Sequence, residues 1–308
     1  MHYKQAWLAC PGGAKSTCGL SQPGVEQHVF GSNEDATAMN FIGRKDILKP
    51  VKLDWYAALT PEEQAKFTDE KVSEAEVGRL TKLARAKNIA RYRRYIYQLK
   101  NELASGKPVM RPNRGGEQVE LKSIFLDNGS PFSQDFQDYV EVVFAKEFET
   151  KEGNFNSIAF SIKYQSEITD FLRVLVELPC HVGMSFHIAM ALDEATAAKA
   201  DFMKDTAKGI KYAKEWQPLL YGKAKYALAG LFDYVFYLWA EENPGQPNKY
   251  LAKLEADDST VGISKSRLQP FDNPRRIEFP KNKAFEFFDA AIQSYLKTGT
   301  PSPSTAKR

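Results

Sequence analysis

A long, capped helix pattern over residues 74–104 constrains this 308-residue chain more than any other feature. Ser73 followed by Glu76 is a good N-terminal capping pair, and Ser105-Gly106-Lys107-Pro108 ends the segment with the glycine and proline that commonly follow a helix. The apolar residues between them are three or four positions apart, which places them on one face. They are Ile89, Tyr92, Ile96, Leu99 and Leu103. The sequence therefore predicts a helix from Glu74 to Ala104 that packs along one stripe. Thr60-Pro61 with Glu63 predicts a second, shorter helix start before it.

The charges of this helix are segregated. Arg79 to Asn101 contains eight Lys or Arg and no acid, whereas Pro61 to Gly78 contains six acids and two lysines. The helix macrodipole favours bases near a C-terminus, but only within the last turn, and this basic run covers about six turns. Like charges at i,i+4 also repel slightly. Because the net charge of the chain is only +3, the case for a polyanionic partner depends on this local cluster.

The first functional hypothesis is a non-enzymatic nucleic-acid-binding protein, or a subunit of a nucleoprotein complex, that contacts DNA or RNA through phosphates. Phosphate contacts supply affinity without sequence choice, and a tyrosine can stack on unpaired bases. The predicted contact residues are Lys82, Arg85, Lys87, Arg91, Arg93, Arg94, Tyr95 and Lys100. The alternative is a structural subunit of a larger assembly, in which the same helix docks on an acidic protein.

The rest of the chain predicts an α+β fold. Apolar alternation around residues 142–148 and 158–164, separated by the turn-like "TKEGNFN", predicts a hairpin. A third strand over 119–126 ends at Asp127-Asn128-Gly129, a turn signal. A small antiparallel sheet at about 118–165 followed by a mostly helical half favours α+β over a doubly wound sheet. The pattern of 181–192 suits a strand or a helix equally well and stays open.

The domain organisation follows from composition. Residues 1–58, rich in Gly, Ser and Asn at their start, predict an irregular N-terminal arm. Residues 59–296 form a single mixed domain with a sub-boundary near 106–117, and residues 297–308 are a low-complexity, disordered tail. The helices expected in the C-terminal half are Asp193–Trp216, an apolar helix opened by Pro218, and Lys283–Leu296.

The stretch "ACPGGAKST", 9–17, approaches the pattern of a phosphate-binding loop. That loop requires glycine at both ends so that the backbone can wrap the phosphates, and a helix must follow it. Ala9 and Ala14 occupy the two glycine positions, and Gly19, Pro23 and Gly24 interrupt the segment that should be helical. A glycine-rich turn is therefore favoured, and no nucleotide hydrolysis is predicted.

The tripeptide Glu120-Leu121-Lys122 matches the E-x-K with which some metal-dependent nucleases hold a metal and activate water. Such enzymes also need an upstream carboxylate, and the candidate dipeptide here is Pro112-Asn113, which offers an amide. Strand alternation alone would place Glu120 and Lys122 in water. A nuclease acting through Glu120 and Lys122 is thus the least favoured alternative.

No catalytic residue, metal or cofactor is predicted. Neither Cys10, Cys18 and His28 nor Cys180, His181 and His187 have the spacing of a zinc site. Three sparse cysteines are typical of a reducing compartment, and no secretory signal pattern is present. The most apolar window, 226–240, is too short to span a bilayer and contains Asp233. These features predict a cytoplasmic protein, or one inside a virus-like particle, that associates with DNA or RNA and other protein subunits but with no membrane.

Overall fold

The computed structural model describes residues 2–9, 14–30, 41, 43–69, 71–192, 214–221, 228, 230–255 and 264–304. The fold class is α+β, as the sequence predicted. The strands are β1 (Lys4–Ala9), β2 (Val25–Phe30), β3 (Val51–Leu53), β4 (Met110–Pro112), β5 (Gln118–Glu120), β6 (Ser123–Asp127), β7 (His181–Leu192), β8 (Lys214–Pro218), β9 (Tyr234–Glu241), β10 (Lys249–Lys253), β11 (Lys265–Ser266) and β12 (Ile277–Glu278). The helices are α1 (Lys15–Leu20), α2 (Pro61–Ala65), α3 (Glu74–Ala104), α4 (Gly129–Val143), α5 (Ser157–Val176) and α6 (Ala284–Thr298).

Most strands belong to one mixed sheet with the order β12-β10-β9-β1-β7-β6-β2-β3, to which β8 and β11 add at β7 and β9. The neighbours from β9 to β3 are parallel, whereas β8, β10, β11 and β12 pair antiparallel. Strands β4 and β5 form a separate two-stranded antiparallel sheet. The carboxyl ends of β1, β2 and β6 therefore meet at one edge of the main sheet.

Two hydrophobic cores flank this sheet. The first lies beneath α3, α4 and α5 and contains aromatic residues such as Phe132 and Phe171. The second lies beneath α1 and α6, where Trp7 stacks on Phe236 with ring centroids 4.2 Å apart. Because helices cover both faces, the central strands are buried on both sides, and their side chains do not alternate between apolar and polar. This burial positions the polar residues at the carboxyl edge on a rigid frame.

The strongest local predictions are confirmed. Helix α3 has the predicted bounds, and the Ser73 hydroxyl accepts a hydrogen bond from the Glu76 amide at 3.3 Å. Thr60 and Glu63 form the complete capping box of α2. Helix α6 covers the predicted C-terminal helix with a shift of one or two residues at each end. Residues 181–192, left open by the sequence, form the strand β7.

The hairpin predicted around residues 142–164 is wrong, because the end of α4, a short 3-10 helix over Ala145–Phe148 and the start of α5 occupy the predicted strands. The turn between its two halves exists, with the Thr150 amide donating to the Asn154 carbonyl at 2.8 Å, but it joins helices. Phe160, Tyr164 and Ile168 are buried on one helical face, whereas Ile158 and Ile162, which produced the apparent alternation, are exposed. Apolar residues on two faces of a helix therefore imitated a strand.

The segment 119–126 does not form one strand. Strand β5 pairs only with β4 in the separate two-stranded sheet, while β6 enters the main sheet between β2 and β7. The predicted turn at Asp127-Asn128-Gly129 is instead a direct passage from β6 into α4. The Asn128 side chain caps that helix by accepting from the Ser130 amide at 3.0 Å.

The predicted irregular arm, residues 1–58, contains β1, α1, β2 and β3, and β1 and β2 lie inside the main sheet. Its central strands gave no period-two signal because both of their faces are buried. The predicted tail packs through residue 304. Thr298 ends α6, and the Ser302 amide donates to the Pro270 carbonyl at 2.7 Å.

The C-terminal helices differ from prediction in part. Residues 193–213 of the predicted helix Asp193–Trp216 lie outside the described residues, and its end belongs to the strand β8. Much of the apolar helix expected after Pro218 also falls outside them, and Tyr234–Glu241 is the strand β9. Within the described residues, no helix is both long and apolar enough to cross a membrane.

Candidate functional site

The candidate site lies at the carboxyl edge of the parallel strands. After β1 the chain enters α1, which packs in the second core, whereas after β6 it enters α4, which packs in the first. Strand β7 lies between β1 and β6, so the connections leave this edge toward opposite faces of the sheet. In open sheets of parallel strands, ligands bind in the crevice outside the carboxyl ends where connections diverge in this way.

Asp127, the last residue of β6, is the centre of the site and is 3% exposed. Its Oδ1 accepts hydrogen bonds from the Ser16 hydroxyl at 3.0 Å and the Ser185 hydroxyl at 2.6 Å, and its Oδ2 accepts from the Gln27 amide at 3.1 Å. The three donors come from α1, β7 and β2. They fix the orientation of the carboxylate and leave lone pairs that can bind one cation, because a carboxylate has about four acceptor positions.

Lys15 and Ser16 are the first two residues of α1. Lys15 is buried, with 7% of its surface exposed. The expectation that no helix follows this loop is wrong, because α1 begins at Lys15 despite Gly19 within it. Gly19 suits its position, because an added Cβ there would lie 2.1 Å from the Phe125 ring. A strand that ends at Ala9 and a helix that begins at Lys15 therefore flank this segment.

Ala14, one of the two alanines at the expected glycine positions, has an unusual backbone conformation. Its φ of 64° and ψ of 12° lie in the left-handed region, and Ala14 is the only non-glycine described residue with a positive φ. This region favours glycine because a Cβ crowds the backbone there. The backbone conformation for which the phosphate-loop pattern uses glycine is thus adopted here by an alanine. Residues 10–13 of the loop lie outside the described residues.

His187 extends the site along β7. It follows Ser185 by two residues, so both side chains lie on the same face of the strand, and its register partner is Ala9, the last residue of β1. Its backbone amide donates to the Ser130 hydroxyl at 3.2 Å, but its ring Nδ1 is buried without a hydrogen-bond partner. Burial and the positive charge of Lys15 lower the pKa of His187, and Asp127 opposes that effect.

The arrangement joins a lysine, a hydroxyl and a carboxylate around one crevice. The ammonium group can bind an oxyanion, while the Ser16 and Asp127 oxygens can bind a hard divalent cation such as Mg²⁺. The sequence pattern contained Lys15 and Ser16 but not their partners. The apolar run "SIFL" led to the prediction of a strand that ends before Asp127, but Asp127 itself was assigned to a turn. Gln27, Ser185 and His187 have no local signal, because only the strand order brings them here.

The predicted nucleic-acid contact residues are spread along α3, where Lys82 and Lys100 are about 27 Å apart. Most of them contact acidic side chains from other elements. These ion pairs are Lys82–Glu141, Arg85–Asp135, Arg85–Asp138, Lys87–Glu63, Arg93–Glu167 and Lys100–Glu177. The segregated charge of α3 is therefore complemented by α2, α4, α5 and the residue after α5. Arg91 and Arg94 are exposed to solvent.

Tyr95, predicted to stack on bases, instead faces a buried polar network. Its hydroxyl donates to Glu26 of β2, which also contacts His28 Nε2 at 2.9 Å. His28 Nδ1 is hydrogen-bonded to the Tyr92 hydroxyl at 2.8 Å. Burial raises the pKa of Glu26, but its contacts with His28 and Tyr95 hold that pKa below its ordinary value. This network joins β2 to α3, and periodicity alone, which assigned Tyr92 only to the packed stripe, did not reveal it.

The residues of the nuclease alternative, Glu120, Lys122 and Asn113, make contacts typical of an ion pair and of a turn. Glu120 and Lys122 form an ion pair with each other at 3.4 Å, and each side chain is about half exposed. The Asn113 side chain accepts from the amides of Gly115 and Glu117, both at 2.9 Å, which is the role of a turn residue. Across the described ranges, no three His, Cys, Asp or Glu side chains cluster as metal ligands.

Comparison with known proteins does not assign the chain to a family. Neither a protein-family model nor a curated protein sequence matches the chain.

Proposed function

We propose that this protein binds a nucleoside triphosphate with Mg²⁺ and hydrolyses or transfers its terminal phosphate. The observation that carries the proposal is the 3.0 Å hydrogen bond between the Ser16 hydroxyl, beside Lys15 at the start of α1, and Asp127 at the end of β6. In phosphate-loop nucleotidases, the lysine binds the β- and γ-phosphates, and Mg²⁺ is held by the adjacent Ser or Thr and an Asp on a neighbouring strand.

Each residue has a defined role in this proposal. Lys15 would neutralise charge on the transferred phosphate, and Ser16 and Asp127 would hold Mg²⁺, which would supply further positive charge there. Ser185 and Gln27 orient Asp127, and two ligands from the protein suit Mg²⁺, which usually keeps several waters. This proposal departs from the non-enzymatic function predicted from the sequence, and two observations support the departure: α1 begins at Lys15, and the backbone of Ala14 is left-handed, as glycine would allow.

The test is equilibrium binding of fluorescent ATP and GTP analogues with and without Mg²⁺, followed by phosphate release from unlabelled nucleotide. The variants are Lys15→Ala and Asp127→Asn, and Lys122→Ala is a matched exposed control. We expect the wild type and the control to bind and hydrolyse, Lys15→Ala to lose affinity, and Asp127→Asn to lose the dependence on Mg²⁺. A folded wild-type protein that binds neither nucleotide at high micromolar concentration would refute the proposal.

A second proposal keeps the nucleic-acid contact predicted from the sequence but narrows it to part of α3. Arg91 and Arg94 are exposed three residues apart, and the nearby Tyr97 is 45% exposed, so a cationic and aromatic surface faces solvent. Binding to labelled DNA and RNA across a salt series tests it, with Arg91→Glu/Arg94→Glu compared with the wild type. Affinity that falls with salt and is lost in the variant supports it. Salt-independent association with a protein instead would favour the assembly alternative.

A further inference from the structure

We propose that His187 binds the terminal phosphate, so that the site holds a nucleoside triphosphate more tightly than the diphosphate. This inference rests on the function proposed above and names the part of the ligand that the site distinguishes.

The position of His187 follows from the sheet. Strand β7 lies between β1, which leads into the loop, and β6, which ends in Asp127. Ser185 reaches Asp127 from β7 at 2.6 Å, and His187 lies on the same face two residues nearer the carboxyl end. Two strand residues span about 6.6 Å, so His187 lies that much nearer the carboxyl edge than Ser185, where a ligand of an open parallel sheet would bind.

The electrostatic neighbours of His187 agree with that position. Lys15 and Asp127 are the two charged groups that influence the pKa of its ring, so both lie within electrostatic range of His187. The crevice between these opposite charges is where the terminal phosphate and Mg²⁺ would lie together. A neutral imidazole can donate to a phosphate oxygen through Nε2 when the proton is on that nitrogen.

The ring also lacks the contacts that would identify a purely structural histidine. The strand is held there by its backbone, with the His187 amide donating to Ser130 and the His187 carbonyl accepting from the Leu219 amide at 2.8 Å. Nδ1 is buried without a partner, although buried polar atoms in native proteins usually have one. His28, by contrast, has both ring nitrogens hydrogen-bonded within the protein. Because Nδ1 is enclosed by the protein, Nε2 is the ring nitrogen through which His187 would contact a ligand at the carboxyl edge.

The experiment compares the affinities of ADP and a non-hydrolysable ATP analogue by competition against a fluorescent nucleotide in the presence of Mg²⁺. The chains are the wild type, His187→Ala, His187→Asn, and the control His2→Ala, an exposed histidine near the opposite edge. We expect His187→Ala to weaken the triphosphate analogue about 10- to 100-fold, the usual worth of a hydrogen bond to a charged group, and ADP less than threefold. His187→Asn, which keeps a donor, should recover part of the preference, and His2→Ala should match the wild type.

The outcomes separate this inference from the proposed function. If the wild type binds both nucleotides and His187→Ala weakens both equally or neither, His187 does not bind the terminal phosphate, while the nucleotide site stands. If the wild type binds neither nucleotide, the proposed function and this inference fail together. Urea unfolding of each variant shows whether a loss of affinity reflects a loss of folding, and His187→Asn gives a second, less disruptive substitution.

Discussion

Ala14 adopts a backbone conformation that costs a non-glycine residue roughly 1–2 kcal/mol. Glycine removes that crowding but adds about 0.5–1 kcal/mol of conformational entropy to the unfolded chain. We therefore expect Ala14→Gly to raise the free energy of unfolding by about 0.5–1 kcal/mol in urea denaturation. The control is Ala90→Gly in the middle of α3, where the same substitution should lower it by a similar amount. Equal destabilisation by both substitutions would show that Ala14 carries no strain.

Tyr92 supplies the only described partner of His28 Nδ1, and His28 is fully buried. Removing the hydroxyl leaves a buried ring nitrogen without a hydrogen bond, which costs about 1–3 kcal/mol. We expect Tyr92→Phe to lower the free energy of unfolding by that amount. Tyr97→Phe, on the exposed side of the same helix, should change it by less than about 0.5 kcal/mol. Similar values for the two variants in urea denaturation would contradict a stabilising role for the network.

At the residue scale, the candidate site was only half predictable. Lys15 and Ser16 belong to a recognisable pattern, which was rejected because alanine stands where the pattern has glycine. The left-handed backbone conformation that glycine adopts easily can also be adopted by alanine, at a cost in conformational energy. Asp127 follows an apolar run that was predicted to be a strand. Asp127 itself was assigned to a turn, because Asn and Gly come next in the sequence. The partners of Asp127 come from residues about 58 to 111 positions away, and no local signal encodes such distances.

At the scale of elements, prediction succeeded where the signals are local. Helix α3 has a cap, a stripe and a stop within one segment, so its bounds follow from neighbouring residues alone. The central strands have no such local signal, because a strand buried on both faces does not alternate between apolar and polar residues. In α5, two exposed isoleucines between buried aromatic residues gave a false period of two. The acids that complement the bases of α3 belong to other elements, which explains why the helix alone looked unpaired.

The contact between α3 and α4 contains a buried carboxyl with an unusual pKa. Burial and the neighbouring Asp138 raise the pKa of Asp135 to about 7, although Arg85 lies 3.3 Å away and opposes the shift. An unfolded aspartate titrates near 4, so between about pH 4 and 7 the folded state binds the extra proton. The stability that Asp135 contributes is therefore present at low pH and lost as pH rises through 7, by about 1.4 kcal/mol per unit.

This linkage predicts different pH profiles for the wild type and Asp135→Asn, which cannot ionise. Between pH 5 and 7, the wild type should lose about 2 kcal/mol of unfolding free energy relative to the variant. Asp170→Asn, on the exposed face of α5, should follow the wild-type profile. Urea denaturation at half-unit pH steps measures the three curves. Parallel curves for the wild type and Asp135→Asn would mean that this carboxyl keeps an ordinary pKa in the folded protein.

At the scale of the whole molecule, the two ends of the described chain depend on each other. Strand β1 lies in the middle of the main sheet, and its neighbour Tyr3 donates to Asp289 of α6 at 2.7 Å. Residues from the predicted arm and from the last helix therefore share one core. Sequence composition assigned the arm and the last helix to different units, because it describes each segment by itself. A central strand of a sheet can come from any part of the sequence. The α+β class was predictable, but the parallel order that creates the candidate site was not.

Removal of α6 tests this dependence. The helix buries Phe285, Phe288 and Ile292 in the second core, where Phe288 lies against Trp7 of β1. Burial of three such side chains is worth about 5–9 kcal/mol, similar to the 5–15 kcal/mol by which whole domains are stable. We expect a chain ending at residue 283 to lose cooperative thermal unfolding and to expose Trp7, with a red shift of its fluorescence. A chain ending at residue 304 keeps α6 and should unfold like the full chain. If the chain ending at 283 unfolds cooperatively at an unchanged temperature, the second core is stable without α6, and the proposed dependence of the two ends of the chain on each other is wrong.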